Sequence, residues 1–217
     1  MRIAILSEVS AVDKNADIVA ALDGFGHEVF NAGMKSASDR PELSYIHTGL
    51  MAAMLLNAGA VDFVVAGCGT GQGFLNSVMQ YPGVSCGLIR EPLDGWLFMQ
   101  INAGNCISLE LNQGYGWAGN ENLRFIFEKL FSAEQGRGYP PHREEPQKQS
   151  RLLMARLSGV THRSMPEIIA ALPDDILIPA VTFPGFMGLL SYKPERAKAI
   201  LEAINKRGPV AKGKEAK

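Results

Sequence analysis

The chain has 217 residues, of which 47% are hydrophobic and 20% are charged, which suits an ordinary soluble domain with a buried core. The formal net charge of −1 gives no electrostatic reason to expect a nucleic-acid or anionic membrane partner. The apolar start of the chain breaks at Glu8 and no run of about 18 apolar residues follows, so neither a signal peptide nor a membrane span is expected. Three widely spaced cysteines fit neither a disulfide framework nor a zinc site, and we expect a protein of the reducing cytoplasm.

Strand and helix patterns alternate from the first residues onward. The predicted strands are residues 2–6, 28–30, 62–66, 84–89 and 105–111. The predicted helices are residues 12–25, 43–58, 74–79, 92–101 and 121–131. Five strands that alternate with helices imply βαβ units with right-handed crossovers. We therefore predict a Rossmann-like α/β fold of three αβα layers around a five-stranded parallel sheet.

A stretch rich in glycine and proline, residues 135–146, ends this alternation. Beyond it, residues 149–157, 165–172 and 194–206 have helical patterns, and residues 182–188 are predicted as a loop rich in aromatics. We therefore expect an α/β domain over residues 1–145 and a helical C-terminal extension, 146–206, that packs on it. Residues 207–217 are expected to form a flexible basic tail.

Alternating glycines directly follow a predicted strand that ends in a cysteine, in the sequence Gly67-Cys68-Gly69-Thr70-Gly71-Gln72-Gly73. Glycine lets other groups approach the backbone closely, and such a loop at the mouth of a helix points several N–H groups toward one spot. Ligands of parallel sheets bind at the carboxyl ends of the strands, where this loop lies. The pattern predicts a thiol beside an anion-binding cradle, although a buried structural cysteine before an ordinary turn also fits the spacing.

With these elements placed, residues 1 to about 145 resemble the ribose-5-phosphate isomerase B / galactose-6-phosphate isomerase family. The resemblance depends most on the cysteine–glycine loop and on the Tyr81-Pro82-Gly83-Val84 motif that follows it. Further matches in order and spacing are Ser7-Glu8, Gly26-His27-Glu28-Val29, Tyr45, Glu91-Pro92, Asn102, Asn105 and Gly136-Arg137. The resemblance implies an isomerase of carbohydrate metabolism, of the pentose phosphate type, that interconverts an aldose and a ketose phosphate through a cis-enediolate.

The resemblance also implies roles for individual residues. Cys68 would be the base that takes a carbon-bound proton, with its thiolate stabilised by the N-terminus of the following helix. The hydroxyl of Thr70 and the amides of residues 69–73 would bind the enediolate oxygen. The substrate-binding candidates are Glu8, Gly69, Gly71, Gly73, Arg90, Glu91, Asn102, Arg137, His142 and Arg143. We expect no cofactor and no metal, and a homodimer or dimer of dimers with active sites shared between subunits.

Three positions depart from the family's pattern. Val9 replaces a histidine that contacts substrate, Ile101 replaces the histidine that acts as acid in opening the sugar ring, and Asn112 replaces an arginine. The acid is unnecessary if the substrate does not cyclise, as with a four-carbon sugar phosphate. Alternatively, the chain has lost isomerase activity and is a non-catalytic protein that binds sugar phosphates or regulates another process.

Two further interpretations stay open at this stage. Arg90 and Glu91, at the end of the fourth strand, are either substrate contacts or a surface ion pair. A nucleotide-dependent oxidoreductase is disfavoured because no glycine fingerprint follows the first strand, where Ser7-Glu8-Val9-Ser10 stands instead.

Overall fold

A computed structural model of the chain describes residues 1–132 and 134–208. The strands are β1 (Arg2–Leu6), β2 (Glu28–Asn31), β3 (Phe63–Cys68), β4 (Cys86–Ile89) and β5 (Cys106–Glu110). The helices of the α/β region are α1 (Asn15–Leu22), α2 (Tyr45–Asn57), α3 (Gln72–Val78), α4 (Pro92–Leu97) and α5 (Gly119–Leu130). The later helices are α6 (Glu144–Thr161), α7 (Met165–Ala171), α8 (Asp174–Thr182), α9 (Phe186–Leu190) and α10 (Pro194–Lys206).

The five strands form one parallel sheet in the order β2-β1-β3-β5-β4. From β1 the chain passes to β2 on one side and then returns to β3 on the other side. This reversal creates a switch point between the carboxyl ends of β1 and β3, where ligands of open α/β sheets bind. The predicted five-stranded parallel sheet of a Rossmann-like fold is thus confirmed.

Alternate side chains of each strand enter the cores on opposite faces of the sheet. Val64 and Ala66 of β3 belong to the core covered by α2 and α3, whereas Val65 packs with α1 and α5. All six residues of β3 are buried, as expected for the central strand of a parallel sheet. The helices on both faces complete the three predicted layers.

Five of the predicted helices start elsewhere in the structure. Helices α2, α5 and α6 begin at Tyr45, Gly119 and Glu144 instead of at residues 43, 121 and 149. Residues 12–14, predicted to be α-helical, belong to the 3₁₀ turn Val9–Lys14, which is kinked at Ala11, and α1 begins only at Asn15. The helix after the glycine loop begins at Gln72, two residues earlier than predicted, because Gly71 takes a left-handed conformation (φ 70°) that glycine adopts without strain at its N-cap.

Helices α8 and α9 of the extension pack on the outside of α2, and α7 and α10 pack on each other. Their buried side chains, including Ile169, Phe186 and Ile200, continue the core that α2 and α3 form with the sheet. The ring Nε2 of His47, in the first turn of α2, lies 3.0 Å from the carbonyl oxygen of Asp175 in α8. In contrast, α6 has no buried residue. The division between residues 145 and 146 stays a prediction, and residues 209–217 of the predicted tail lie outside the described residues.

Helix α8 was not predicted, and the prediction of a loop over residues 182–188 is wrong in part, since α8 extends through Thr182 and α9 begins at Phe186. Pro179 lies inside α8, and proline is unfavourable in a helix interior. Tertiary packing outweighs that cost, because Leu177 and Val181 of α8 are buried in the core that includes α2. In the part of the chain that the structure describes, no helix is both long enough and apolar enough to span a bilayer.

Candidate active site

The predicted cysteine–glycine loop lies at the carboxyl end of β3. Cys68 is the last residue of the strand and is only 5% exposed. The N–H of Gly71 donates to the carbonyl of Cys68 at 3.2 Å, which closes a tight turn between strand and helix. Ser108 of β5 donates its hydroxyl to the carbonyl of Gly71. The thiol and the loop are therefore fixed by the two neighbouring central strands.

Several amide groups of this loop have no acceptor in the protein. The N–H of Gln72 donates to the hydroxyl oxygen of Thr70 at 3.3 Å, which leaves the hydroxyl hydrogen of Thr70 free to donate. Within residues 1–132 and 134–208, the N–H groups of Thr70, Gly73 and Phe74 donate to no acceptor. Of the predicted amides of residues 69–73, only those of Thr70 and Gly73 are therefore free, in the part of the chain that the structure describes, to bind an oxyanion, because Gly69, Gly71 and Gln72 donate to acceptors within the protein.

The ring of Tyr45 forms one wall beside the cradle. A Cβ added to Gly73 would lie 3.2 Å from this ring, so only a glycine fits there without displacing it. Tyr45 is the first residue of α2, whose start is fixed by a capping box between Ser44 and His47. The second helix thus positions an aromatic side chain against the loop of the third.

Glu8 lies at the neighbouring strand end and is 2% exposed. Burial raises the pKa of its carboxyl above the ordinary value and nearby Glu42 adds to the rise, while hydrogen bonds from Ser10 hold it down. The hydroxyl of Ser10 donates to Oε1 of Glu8 and accepts the N–H of Gly69 at 3.3 Å. A carboxyl group and the first amide of the glycine loop are therefore joined through one hydroxyl.

Asn112, after β5, links the ends of three strands. Its side-chain amide donates to the carbonyl of Ser10 at 2.8 Å, and its backbone N–H donates to the carbonyl of Gly69 at 3.0 Å. The side chain that replaces the family's arginine thus has a structural task here. The sequence analysis did not select Ser10 or Tyr45 as site residues. The available signal for Ser10 was a polar residue two positions beyond Glu8, at a strand end.

Arg90 and Glu91 lie at the end of β4 and line a separate cleft of about 380 Å³. Other parts of its wall come from Glu110 and Tyr115, and neither Cys68 nor Glu8 contributes to it. The Arg90 side chain is 65% exposed, and its Nε lies 3.9 Å from Asp94. A pair this exposed contributes little to stability. The structure does not bring Arg90 and Glu91 to the thiol.

The remaining substrate-binding candidates lie at the opposite edge of the sheet, where the strands begin, near the amino end of β5. Asn102 ends the turn that precedes β5, and the segment with Arg137 runs beside this turn through an amide hydrogen bond from Gly138 to the Gln100 carbonyl at 2.9 Å. The β5 residue that pairs with Cys68 is Glu110, at the carboxyl end of the strand, whereas this turn precedes Cys106 at the amino end. The four residues from Cys106 to Glu110 span roughly 13 Å. The candidates in this second group are Asn102, Arg137, His142 and Arg143. Within one chain they do not meet Cys68.

A groove of about 660 Å³ adjoins this second group. Its lining is mainly apolar and comes from α6 and from the segments before β4 and β5: Met79, Val84, Ile101, Met154, Leu157 and His162. Ile101, which by the resemblance stands in place of a ring-opening acid, is thus part of an apolar wall. Helix α6 also exposes several large apolar side chains: Leu152, Leu153, Met154, Leu157 and Val160. So many on one helix are unusual for a free surface.

No three His, Cys, Asp or Glu side chains of the described ranges are grouped as a metal site requires. The thiol of Cys68, the amides of the glycine loop, the hydroxyl of Thr70 and the carboxyl of Glu8 are instead suited to proton transfer beside a developing oxyanion. Such an arrangement serves a reaction in which a proton leaves carbon next to a carbonyl group.

Comparison with known proteins agrees with this chemistry. Residues 3–144 match the family model described as Ribose/Galactose Isomerase. A ribose-5-phosphate isomerase from Vibrio parahaemolyticus is 42% identical over 94% of this chain and 99% of its own, with a TM-score of 0.88. A 4-deoxy-L-threo-5-hexosulose-uronate ketol-isomerase, solved with a tartrate, is 34% identical over 95% of this chain and all (100%) of its own, also with a TM-score of 0.88.

A ribose 5-phosphate isomerase from Thermotoga maritima is 23% identical, with a TM-score of 0.55, and shows the fold alone. The alignment covers 97% of that protein but only 68% of this chain. The first two relatives therefore share the C-terminal extension, whereas the shorter protein matches a part of the chain about as long as the α/β region. No curated protein sequence matches the chain.

Proposed function

Because the chain belongs to the ribose/galactose isomerase family, we propose that it is an aldose–ketose isomerase whose catalytic base is Cys68. Sugar isomerases of this kind are intramolecular oxidoreductases, since one carbon is oxidised while its neighbour is reduced. The observation that carries the proposal is the thiol at the end of β3 together with three amide N–H groups, within the next six residues, that have no acceptor in the described residues. Glu8, buried beside this loop, supplies the site's carboxyl group.

In the proposed reaction the thiolate of Cys68 takes the proton from C2 of the open-chain aldose. The electron pair of that C–H bond forms the C1–C2 double bond, and the carbonyl electrons move to O1, which becomes an enediolate oxygen. The N–H groups of Thr70, Gly73 and Phe74 and the hydroxyl of Thr70 stabilise this oxygen. The hydroxyl proton of O2 moves to O1, Cys68 returns its proton to C1, and C2 becomes the carbonyl carbon. Glu8 binds the substrate hydroxyls during these transfers.

The substrate is proposed to be an open-chain sugar that bears an anionic group. Ile101, in place of the acid that opens the ring, supports a substrate that needs no ring opening. A four-carbon aldose phosphate meets this condition, because its only hydroxyl at ring-forming distance is phosphorylated. Ribose 5-phosphate does not meet it, since its C4 hydroxyl closes a five-membered ring.

A second substrate class is favoured by one relative. The name 4-deoxy-L-threo-5-hexosulose-uronate describes a sugar acid with no hydroxyl at C4 and a carbonyl at C5. Neither position offers the hydroxyl that would close a five- or six-membered ring on the C1 aldehyde, so this compound needs no acid that opens an aldose hemiacetal. It carries a carboxylate instead of a phosphate. The similarity extends over 95% of this chain, including the extension, which makes a keto-uronate a specific alternative to the sugar phosphate.

We further propose a homodimer, or a dimer of dimers, in which each active site takes residues from two chains. The separation of Cys68 from Asn102 and Arg137 within one chain supports this arrangement. The exposed apolar side chains of α6, which adjoin the second group of residues, supply a surface that a second copy would cover.

The test is solvent exchange in D₂O with three compounds: erythrose 4-phosphate, ribose 5-phosphate and the 4-deoxy-5-hexosulose-uronate. We expect deuterium at C2 of at least one open-chain aldose and conversion to its ketose. Cys68→Ser should lower the rate by about 10²–10⁴-fold. Cys86→Ser is the matched control, because Cys86 is a half-buried thiol of β4 outside this site, and it should keep full activity. Full activity of Cys68→Ser would refute the base; binding without exchange would select the non-catalytic alternative.

Shared sites are tested by complementation. Cys68→Ser and Arg137→Ala chains, each inactive alone, are co-expressed with different tags. If the sites are shared, each mixed dimer holds one intact site and one doubly altered site, and a statistical mixture recovers about a quarter of wild-type activity. No recovery in isolated mixed dimers would refute shared sites.

A further inference from the structure

The hydroxyl of Ser10 is the contact through which two parts of the proposed site are held together. Its oxygen accepts the N–H of Gly69 at 3.3 Å, and its hydrogen goes to Oε1 of Glu8. The directions follow from the groups themselves: an amide N–H only donates, and an ionised carboxylate only accepts. An alanine side chain could satisfy neither partner.

The backbone of Ser10 is also fixed in place. Its carbonyl accepts the side-chain amide of Asn112 at 2.8 Å, and the residue before it, Val9, donates its N–H to the Leu43 carbonyl at 2.9 Å. These bonds attach the turn after β1 to the end of β5 and to the segment before α2. The Ser10 hydroxyl therefore has a defined position although the residue itself is exposed at the mouth of the site.

The contact with Ser10 leaves acceptor positions of the Glu8 carboxyl available. In the described residues the carboxyl of Glu8 has no hydrogen-bond partner other than Ser10. A buried carboxyl held by one residue has a restricted orientation, and its remaining acceptor positions are open to a substrate hydroxyl. Without Ser10 the carboxyl could rotate, and the Gly69 amide, one residue from the thiol, would lose its acceptor.

We propose that Ser10 is a positioning residue of the isomerase, which acts by fixing the Glu8 carboxyl and the first amide of the glycine loop in one arrangement. This inference rests on the proposed function of the same site. Ser10 itself transfers no proton in this scheme; it keeps the carboxyl and the loop in the geometry that the enediolate needs.

The experiment compares Ser10→Ala and Ser10→Thr with wild-type protein, on whichever of the three compounds named above shows exchange. Ser10→Ala should lower kcat on the order of 10-fold and change KM much less, because misplacement affects the transition state more than initial binding. Ser10→Thr keeps the hydroxyl and should restore kcat to within about 3-fold of wild type. Ser191→Ala is the control, since Ser191 also donates an exposed hydroxyl, to the Met187 carbonyl at 2.8 Å, but lies in the extension.

Thermal melting of each variant shows whether an effect on kcat reflects lost structure. A wild-type kcat in Ser10→Ala overturns the proposal, as does a rise of KM alone, which would make Ser10 an ordinary binding contact. Equal losses in the alanine and threonine variants at unchanged stability also overturn it, because the hydroxyl would then be irrelevant. If wild-type protein itself shows no exchange with any of the three compounds, the proposed function fails, and that result is distinct from an active wild type with an equally active Ser10→Ala.

Discussion

Substitution of Gly67 by alanine should force β3 and β5 apart next to the thiol. A Cβ on Gly67 would lie 2.9 Å from the nitrogen of Leu109 and 3.0 Å from its carbonyl carbon, and closer still to the carbonyl oxygen. All three atoms are backbone of the adjacent central strand, so no side chain can rotate away. Overpacking in a well-packed core costs about 1–3 kcal/mol, and a backbone clash between two buried strands belongs at the upper end, about 3 kcal/mol.

Urea unfolding followed by circular dichroism measures this cost as a lower midpoint. The matched control is Gly188→Ala, because Gly188 is exposed in α9 and an added Cβ meets no atom within 4 Å. Alanine there should stabilise the protein by about 0.5–1 kcal/mol, since glycine is the poorer helix former. The reasoning is refuted if Gly67→Ala unfolds at the wild-type midpoint. Exchange activity should fall with the same substitution, because Cys68 is the next residue.

Three further predictions concern stability. Burial raises the folded-state pKa of Glu8. The stabilising contribution of the protonated carboxyl is therefore complete below the ordinary pKa of 4.5 and is lost as the pH rises through the folded-state pKa. Glu8→Gln should melt at a higher temperature than wild type at neutral pH, and the difference should vanish in acid. His47→Ala removes both the capping box of α2 and the contact with Asp175, and should cost about 1–2 kcal/mol by urea unfolding, whereas an unchanged midpoint would show that neither contact stabilises the fold. The Arg207 guanidinium donates to carbonyls of α7 and pairs with Asp174; Arg207→Met should lower stability by about 2 kcal/mol, and an equal loss in Arg207→Lys would confirm the need for its forked donors.

The sheet and the loop were predictable because their signals are local. Apolar runs of strand length, separated by helical patterns, predict a parallel sheet, and the alternating glycines after Cys68 predict a cradle at a strand end. Helix α8 was not predictable in this way, since Pro179 contradicts a helix and the packing that stabilises it includes α2, which is far away in the sequence. The predicted start of the first helix was wrong for a related reason. Apolar spacing predicts a helix but does not show a 3₁₀ turn with a kink at Ala11.

The site residues also differ in whether local signals or distant contacts determine their positions. Cys68 and Glu8 stand at strand ends, so topology alone brings them to one edge of the sheet. The task of Ser10 depends on a hydrogen bond to Gly69, 59 residues later, and no local pattern specifies such a pair. Asn102 and Arg137 were predicted as binding residues of the same site, but within one chain the length of β5 separates Asn102 from the thiol, and no local pattern shows that separation.

The three departures from the family's pattern have related structural consequences. Asn112 donates its side-chain amide to Ser10, Val9 packs against the core of α2, and Ile101 lines the apolar groove beside α6. Each replacement is used for packing or for a hydrogen bond between backbone segments, and none supplies a group that could protonate a ring oxygen. What remains at the ends of β1 and β3 is a carboxyl group, a thiol and amide donors, the groups proposed to move a proton between adjacent carbons. We propose that a site with these groups but without the acid for ring opening is suited to a sugar that is already in its open form. Erythrose 4-phosphate and the 4-deoxy-5-hexosulose-uronate are therefore expected to be better substrates than ribose 5-phosphate.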